Sequence, residues 1–277
     1  MILNLAYPEK SDIPFKISKF PDGQQTIDIT DPNGLLDKIV MIKSRLNNFK
    51  DLELIICANQ ALRNLCPLRI HLYVPYFVGA RSDRKFQDGG INYLKQVICP
   101  IINSQNFASV TVMDPHSDVL EACLNNYKKL DNHKLVDFAL EILNGRSTET
   151  LIVSPDAGAL KKIYDVAKQF NITNVVTASK IRDIKTGDII RTELPEIKLD
   201  GIESIIIIDD ICDGGRTFVE LAKEIRKQTH KPIYLVVTHG IFSAGLGLLS
   251  EYFDKIYCTN SISDIEQNGR LVQLNIF

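Results

Sequence analysis

Residues 205–217 read Ile205-Ile206-Ile207-Ile208-Asp209-Asp210-Ile211-Cys212-Asp213-Gly214-Gly215-Arg216-Thr217. No other stretch limits the possible folds so tightly. A continuous β-branched run suits a strand covered on both faces, the usual condition of a parallel sheet in an α/β protein. Phe218, Leu221, Ala222 and Ile225 then recur at helical spacing, so Phe218–Gln228 reads as a helix. Carboxylates accept hydrogen bonds and donate none, so Asp209 and Asp210 suit hydroxyl groups or a cation rather than a bare phosphate. The amides of Asp213-Gly214-Gly215 and the helix N-terminus suit a phosphate. Strand, acidic pair, glycine turn and helix in this order therefore make a cradle for a phosphorylated sugar, where any one part alone would be an ordinary turn.

The same alternation runs through the rest of the chain. Apolar runs predict strands over Ile2–Ala6, Thr26–Ile29, Leu52–Cys57, Ile70–Val74, Ser109–Met113, Leu151–Val153, Asn174–Thr177, Ser204–Ile208, Pro232–Val237 and Ile256–Cys258. Helical spacing predicts helices over Leu35–Asn47, Ile91–Ser104, Lys134–Leu143 and Ala157–Phe170. Strands and helices alternating at this length predict an α/β fold with mostly parallel sheets. Val110-Thr111-Val112-Met113-Asp114-Pro115-His116-Ser117 echoes the opening motif as a strand ending in acid and imidazole, which suggests two similar halves. The least structured stretch, Asn144-Gly145-Arg146-Ser147-Thr148, places the junction between domains 1–145 and 146–277.

A chain of 277 residues with a formal net charge of -2 has no global basic field to collect nucleic acid. No apolar run is long enough to span a membrane, and no secretory signal opens the chain. The six cysteines show no zinc-ligand or C-x-x-C spacing, so they read as reduced, mostly buried side chains of a cytoplasmic protein.

Four further clusters carry charge where loops are expected. Arg81-Ser82-Asp83-Arg84-Lys85 follows the Ile70–Val74 strand; three cations there meet a polyphosphate or only solvent. Asp114-Pro115-His116-Ser117-Asp118 suits Mg²⁺ directly or through water; a lone His is usually satisfied by a neighbouring backbone group, but the flanking acids here favour the functional reading. Asp156 in Val153-Ser154-Pro155-Asp156-Ala157-Gly158 is by itself most simply a helix cap. Lys180 and Arg182 point the same way along an alternating strand, and Lys185-Thr186-Gly187-Asp188 reads as the turn of a hairpin carrying them. His71, His133 and His230 have no chemical company in sequence.

Taken in order, these segments resemble the ribose-phosphate diphosphokinase (PRPP synthetase) family over Phe20 to Ser263. The matching segments are Phe20-Pro21-Asp22-Gly23-Gln24, Val74 to Arg84, Asp114-Pro115-His116, Val153 to Gly158, Lys180-Ile181-Arg182, the Asp209–Thr217 stretch, and Thr238-His239-Gly240-Ile241-Phe242-Ser243. The resemblance implies two tandem phosphoribosyltransferase-like domains, an ATP side in the first and a ribose-phosphate side in the second. It implies transfer of the β,γ-diphosphate of Mg-ATP to the anomeric hydroxyl of a 5-phosphorylated ribose, with release of AMP. Carried over by residue, Asp209 and Asp210 hold the ribose hydroxyls, and Asp213, Gly214, Gly215, Arg216 and Thr217 hold the 5-phosphate. His116 and Asp156 organise Mg²⁺. Phe20, Asp22, Gln24, Arg81, Asp83 and Arg84 contact ATP, the first three reaching from a neighbouring subunit of a homo-oligomer. Lys180, Arg182 and His116 are the catalytic set, and Lys85 to Gly90 belong to a loop closing over ATP.

The chain departs from the family at defined places. Gln24 stands where Glu is usual and Ser82 where Gln is usual; the segment Ala58–Leu68, between the strands expected around Leu54 and Ile70, is short; and no terminal helix follows Phe277. In the phosphate loop, Gly214 and Arg216 replace the family's D-T-G-G-T pattern. Space and a guanidinium at that loop leave two acceptors open, ribose 5-phosphate and ADP-ribose. The other functions that the cradle allows are a phosphoribosyltransferase consuming PRPP and a non-catalytic regulatory homologue.

Overall fold

Apolar runs and periodic segments resolve into two units in the computed structural model, which describes residues 1–143, 147–182, 189–267 and 269–277, with the backbone alone at 147, 180–182 and 189–191. Met1–Asp131 with Phe277 forms one unit and Asn132–Ile276 the other. The first unit runs β1 (Ile2–Asn4), β2 (Phe15–Lys19), β3 (Gln25–Ile29), β4 (Ile39–Lys43), α1 (Phe49–Arg63), β5 (Arg69–Tyr73), α2 (Cys99–Ser104), β6 (Ser109–Met113), α3 (Val119–Cys123) and β7 (Tyr127–Leu130). β1, β4, β5, β6 and β7 form a parallel sheet in that order, and β2 and β3 pair as an antiparallel hairpin. The hairpin is tied to α1 through Gln25, whose amide donates to the Lys50 carbonyl at 2.9 Å and to Glu53 Oε2 at 3.2 Å.

Two segments of this unit exchange their expected roles. Leu35–Asn47, expected as a helix, contains β4, and Leu52–Cys57, expected as a strand, lies inside α1. The periods explain both. Val40 and Ile42 are buried while Ile39 is exposed, the two-residue alternation of a strand. Leu52, Ile55, Ala58, Asn59 and Leu62 are buried at helical spacing, and the Asn48 side chain accepts from the Lys50 and Asp51 amides as an N-cap. Ala58–Leu68 is therefore the second half of α1 and the turn into β5, and no strand precedes it around Leu54. Ile91–Ser104 is only partly α-helical: a π-helical turn, Leu94–Ile98, leads into α2.

The second unit runs α4 (His133–Leu143), β8 (Thr150–Ser154), α5 (Leu160–Gln169), β9 (Asn174–Thr177), β10 (Ser179–Arg182), β11 (Ile189–Glu193), β12 (Ser204–Cys212), α6 (Arg216–Arg226), β13 (Ile233–Gly240), α7 (Gly247–Tyr252), β14 (Lys255–Thr259) and β15 (Leu271–Leu274). Its six-stranded sheet is parallel throughout, in the order β15-β14-β13-β12-β8-β9. The isoleucine run is buried on both faces of β12. Ile205 and Ile207 join the core made with Phe218, Leu221, Ala222 and Ile225 of α6. Ile206 and Ile208 join the core made with Leu135, Val136 and Ala139 of α4 and Ile163, Val166 and Ala167 of α5. Each such side chain contributes about 1.5–3 kcal/mol on burial.

The units divide at Asp131–Asn132, upstream of the 145/146 junction expected from composition, because α4 packs into the second core. Residues 144–146, at that expected junction, lie outside the described residues. β10 and β11 pair antiparallel, with Lys180 opposite Thr192 and Arg182 opposite Ile189. The turn expected at Lys185–Asp188 lies outside the described residues. All six cysteines are free, with Cys99, Cys212 and Cys258 buried and Cys66 exposed. Among the described residues no helix is long and apolar enough to cross a membrane.

Candidate active site

The strand order of the second unit creates one topological switch point. From β8 the chain moves outward to β9, then returns to place β12 on the other side of β8. In open parallel sheets, ligands bind beyond the carboxyl ends of the strands at such a point. β8 and β12 pair as far as Val153 opposite Ile207, so the turn carrying Asp156 leaves the sheet beside Asp209-Asp210. On the other flank β12 pairs with β13 through Ile211–His239 and Cys212–Gly240. That register sets the loop after β13 beside Asp213-Gly214.

Strand alternation assigns the two acids to different faces. Asp209 has the parity of Ile205 and Ile207, and Asp210 that of Ile206 and Ile208. Asp210 is buried, and its Oδ2 lies 3.5 Å from Lys162 Nζ on α5. Asp209 Oδ1 accepts from the Asp210 amide at 2.9 Å. Burial first, then the charge of the adjacent Asp210, holds the Asp209 carboxyl well above its ordinary range; Asp156 adds in the same direction. The three carboxylates thus share one electrostatic neighbourhood. Asp156 caps the turn into α5, its Oδ1 accepting from the Ala159 amide at 3.1 Å, while Ser154 Oγ donates to the Asp156 carbonyl at 2.8 Å. Asp156 therefore closes a turn ahead of α5, whose N-cap position is Ala159, and is not the helix cap expected of a lone Asp.

The phosphate loop is shaped by its glycines. Gly215, the N-cap of α6, has φ +79° and ψ -5°, a left-handed conformation that favours glycine. A Cβ there would lie 3.0 Å from Leu249 Cδ2 and Cγ. At Gly214 a Cβ would meet only ordinary contacts, Ser243 Oγ at 3.8 Å and Ala244 Cβ at 4.0 Å. Arg216 begins α6 and is exposed; Thr217 follows it in the first turn. Ser243 Oγ donates to Asp213 Oδ1 at 2.5 Å, and the Ile241 and Phe242 amides donate to the Cys212 carbonyl at 2.8 and 3.1 Å. Beneath that loop His239 is buried, with Nδ1 2.8 Å from Ser261 Oγ.

Lys162 and Ser243 are the residues a linear reading misses as partners of the acids. Lys162 follows Asp156 in a segment read only as a helix. Ser243 ends a motif recognised by resemblance alone. Each meets its Asp across the fold, where no sequence spacing reports it.

In the first unit the expected ATP-side residues occupy loops and one hairpin tip. Phe20, Asp22 and Gln24 are exposed at the β2–β3 turn, which is closed by the Phe20 amide donating to the Gln24 carbonyl at 2.9 Å and the Gln24 amide donating to Asp22 Oδ1 at 3.1 Å. Arg81, Asp83 and Arg84 follow β5. Asn92 Nδ2 donates to the Asp83 carbonyl at 2.5 Å, and the Arg84 guanidinium lies 5.5 Å from the Phe86 ring centroid. Gly79 starts this loop at φ +77°, and Tyr93 fills the space a Cβ would need. Asp114 is buried with φ +41°, its amide donating to the Leu130 carbonyl at 2.7 Å, and His116 beyond it is exposed. β5 and β6 are neighbours paired through Tyr73–Thr111, so the two loops leave adjacent strands at the same sheet edge.

His116 and Asp156 belong to different units. Among the described residues no three His, Cys, Asp or Glu side chains gather as a metal site. Mg²⁺ is commonly held by one or two carboxylates together with substrate phosphates. Asp209 and Asp210, adjacent at the end of β12, are carboxylates of the kind that meet a cation arriving with its phosphates.

No protein-family model matches the chain. Curated relatives do. The ribose-phosphate pyrophosphokinase of Sulfolobus acidocaldarius is 27% identical over 248 residues, 88% of this chain and 82% of that protein. The Vibrio vulnificus ribose-phosphate pyrophosphokinase is 23% identical over 268 residues, 94% of this chain and 83% of that one. The crystal structure of phosphoribosylpyrophosphate synthetase from Mycobacterium smegmatis superposes with a TM-score of 0.79 at 16% identity, covering 97% of this chain and 88% of that chain. The chain is a distant homologue of the ribose-phosphate pyrophosphokinases, a family of transferases, and has the α/β fold of a phosphoribosylpyrophosphate synthetase.

Proposed function

We propose that the protein is a diphosphokinase that moves the β,γ-diphosphate of Mg-ATP onto the anomeric hydroxyl of a 5-phosphorylated ribose. The observation that carries this reading is the acidic pair and left-handed glycine turn at the switch point of the second sheet. In the reaction the C1 hydroxyl oxygen bonds to Pβ, the Pβ–O bond to the α-phosphate breaks, the hydroxyl proton is lost and AMP leaves. Asp209 and Asp210 accept hydrogen bonds from the ribose hydroxyls. The 213–217 loop and the first turn of α6 receive the 5-phosphate, with Ser243 steadying Asp213. Mg²⁺ would neutralise charge on the transferring phosphates; Asp156 is the side chain of the second unit assigned to that chemistry, and His116 that of the first. Lys180 and Arg182 add positive charge to the diphosphate in flight; transfer of this kind depends chiefly on positioning and electrostatics.

Arg81, Asp83 and Arg84 bind the ATP phosphates and ribose from the loop after β5. Phe20, 52% exposed at a hairpin tip with Asp22 and Gln24, suits an adenine offered by a second copy in a homo-oligomer. Two acceptors fit the cradle. Ribose 5-phosphate needs only the loop amides. ADP-ribose is favoured by one specific observation: Gly214 and Arg216 are both exposed, leaving room and a guanidinium for a second phosphate. The deciding experiment supplies ATP with ribose 5-phosphate and with ADP-ribose in parallel, and follows AMP release and product mass. A product heavier than its acceptor by a diphosphoryl group, with equimolar AMP, is expected. Nucleobase-dependent consumption of PRPP without ATP would instead identify a phosphoribosyltransferase, and silence with both acceptors would refute the reading.

A further inference from the structure

Lys162 is a basic group of α5 that meets Asp210 of the acidic pair. It lies on the flank of α5, one residue before Ile163 and four before Val166, both buried against β12. Its Nζ stands 3.5 Å from Asp210 Oδ2, with the two side chains 26% and 7% exposed. The contact differs from the Arg226–Asp254 pair of the same unit. There the acid is 47% exposed, and the guanidinium also bonds the Lys231 and Tyr252 carbonyls, as a structural staple would. Lys162 instead reaches the sheet edge where the acceptor is expected. Its helix begins at the turn that Asp156 caps, so ammonium and acidic cluster share one anchor. Two adjacent carboxylates with a third nearby repel one another; a cation on Asp210 offsets that repulsion on one side and leaves Asp209 toward the α6 side.

We propose that Lys162 is a positioning residue for the acceptor: its ammonium holds the Asp210 carboxylate in the one orientation that receives a ribose hydroxyl. This rests on the diphosphokinase reading above. The test uses the full chain as wild type, K162M, K162R, D210N and K162M/D210N. ATP and the acceptor preferred by the wild type are varied separately, and thermal unfolding is recorded for each protein. K162M keeps the apolar stem and loses the charge, so acceptor KM should rise about tenfold, equivalent to about 1.4 kcal/mol, with ATP KM unchanged. K162R should recover most of the loss. Because Lys162 acts through Asp210, K162M/D210N should match D210N. The double variant also keeps the test open should K162M fail to fold, since removing both charges leaves no uncompensated buried ion. An unchanged acceptor KM in K162M, an equal rise in both KM values, or a further rise of the double variant over D210N would overturn the role. Absence of AMP release by the wild type with every acceptor refutes the diphosphokinase reading itself, a separate outcome.

Discussion

Replacing Gly215 by alanine tests the phosphate loop at its most constrained point. Gly215 caps α6 at φ +79°, and its carbonyl accepts from the Phe218 and Val219 amides, both at 3.0 Å. An L-residue in the left-handed region costs about 1–2 kcal/mol. The added methyl would also lie 3.0 Å from Leu249 Cδ2 and Cγ and 3.1 Å from Cδ1. Leu249 is buried in the α6 core and has little room to yield; overpacking of this kind costs about 1–3 kcal/mol. The sum is about 2–5 kcal/mol, and with about 2–4 °C per kcal/mol for a domain of this size the melting temperature should fall by about 4–20 °C. Calorimetry of wild type, G215A, L249A and G215A/L249A separates the two causes. Opening space at Leu249 should remove the packing part of the alanine penalty and leave the conformational part. In steady-state assays G215A should raise acceptor KM, because the first turn of α6 must shift, and leave ATP KM in place. A melting temperature within about 1 °C of wild type, well below the smallest summed cost, would refute both the assigned backbone conformation and the packing against Leu249.

Gly214→Thr restores the residue usual in the family where a Cβ meets only ordinary contacts. Folding should be unaffected and turnover of ribose 5-phosphate retained, while any turnover of ADP-ribose falls; equal kinetics for both acceptors would show that Gly214 does not select between them. Asp209→Asn should abolish acceptor binding and change the pH dependence of stability. A folded carboxyl pKa raised above its unfolded value stabilises the protein at low pH, and that contribution is lost as pH climbs from the ordinary 3.8 through the raised value. The wild type should therefore lose stability across that window and D209N should not; parallel unfolding curves from pH 3 to 8 would contradict the shift. Lys180→Ala should lower turnover by about 10²–10³, as loss of an electrostatic stabiliser of the transition state does, with an unchanged circular dichroism spectrum; undiminished turnover would remove Lys180 from the catalytic set.

The α/β class, the covered strand at Ile205–Ile208, the helix after Thr217 and the acidic pair with its glycine turn are all legible in the order of residues. These are local signals: a β-branched run and a helical repeat specify their own periods, and Asp209-Asp210 through Thr217 are contiguous. Local reading failed where short apolar runs fit either period. Leu35–Asn47 and Leu52–Cys57 exchanged roles because the Asn48 cap and the stripe from Leu52 to Leu62 outweigh the strand-like composition around Ile55. The surroundings of the acids emerge only once the chain is folded. Lys162 comes from α5 and Ser243 from beyond β13, and both reach the cradle because parallel pairing sets the ends of β8, β12 and β13 side by side. Charge compensation and loop anchoring depend on distances of a few ångströms between segments far apart in the chain. A linear pattern names the groups that bear the chemistry; the sheet order selects the neighbours that hold them in place.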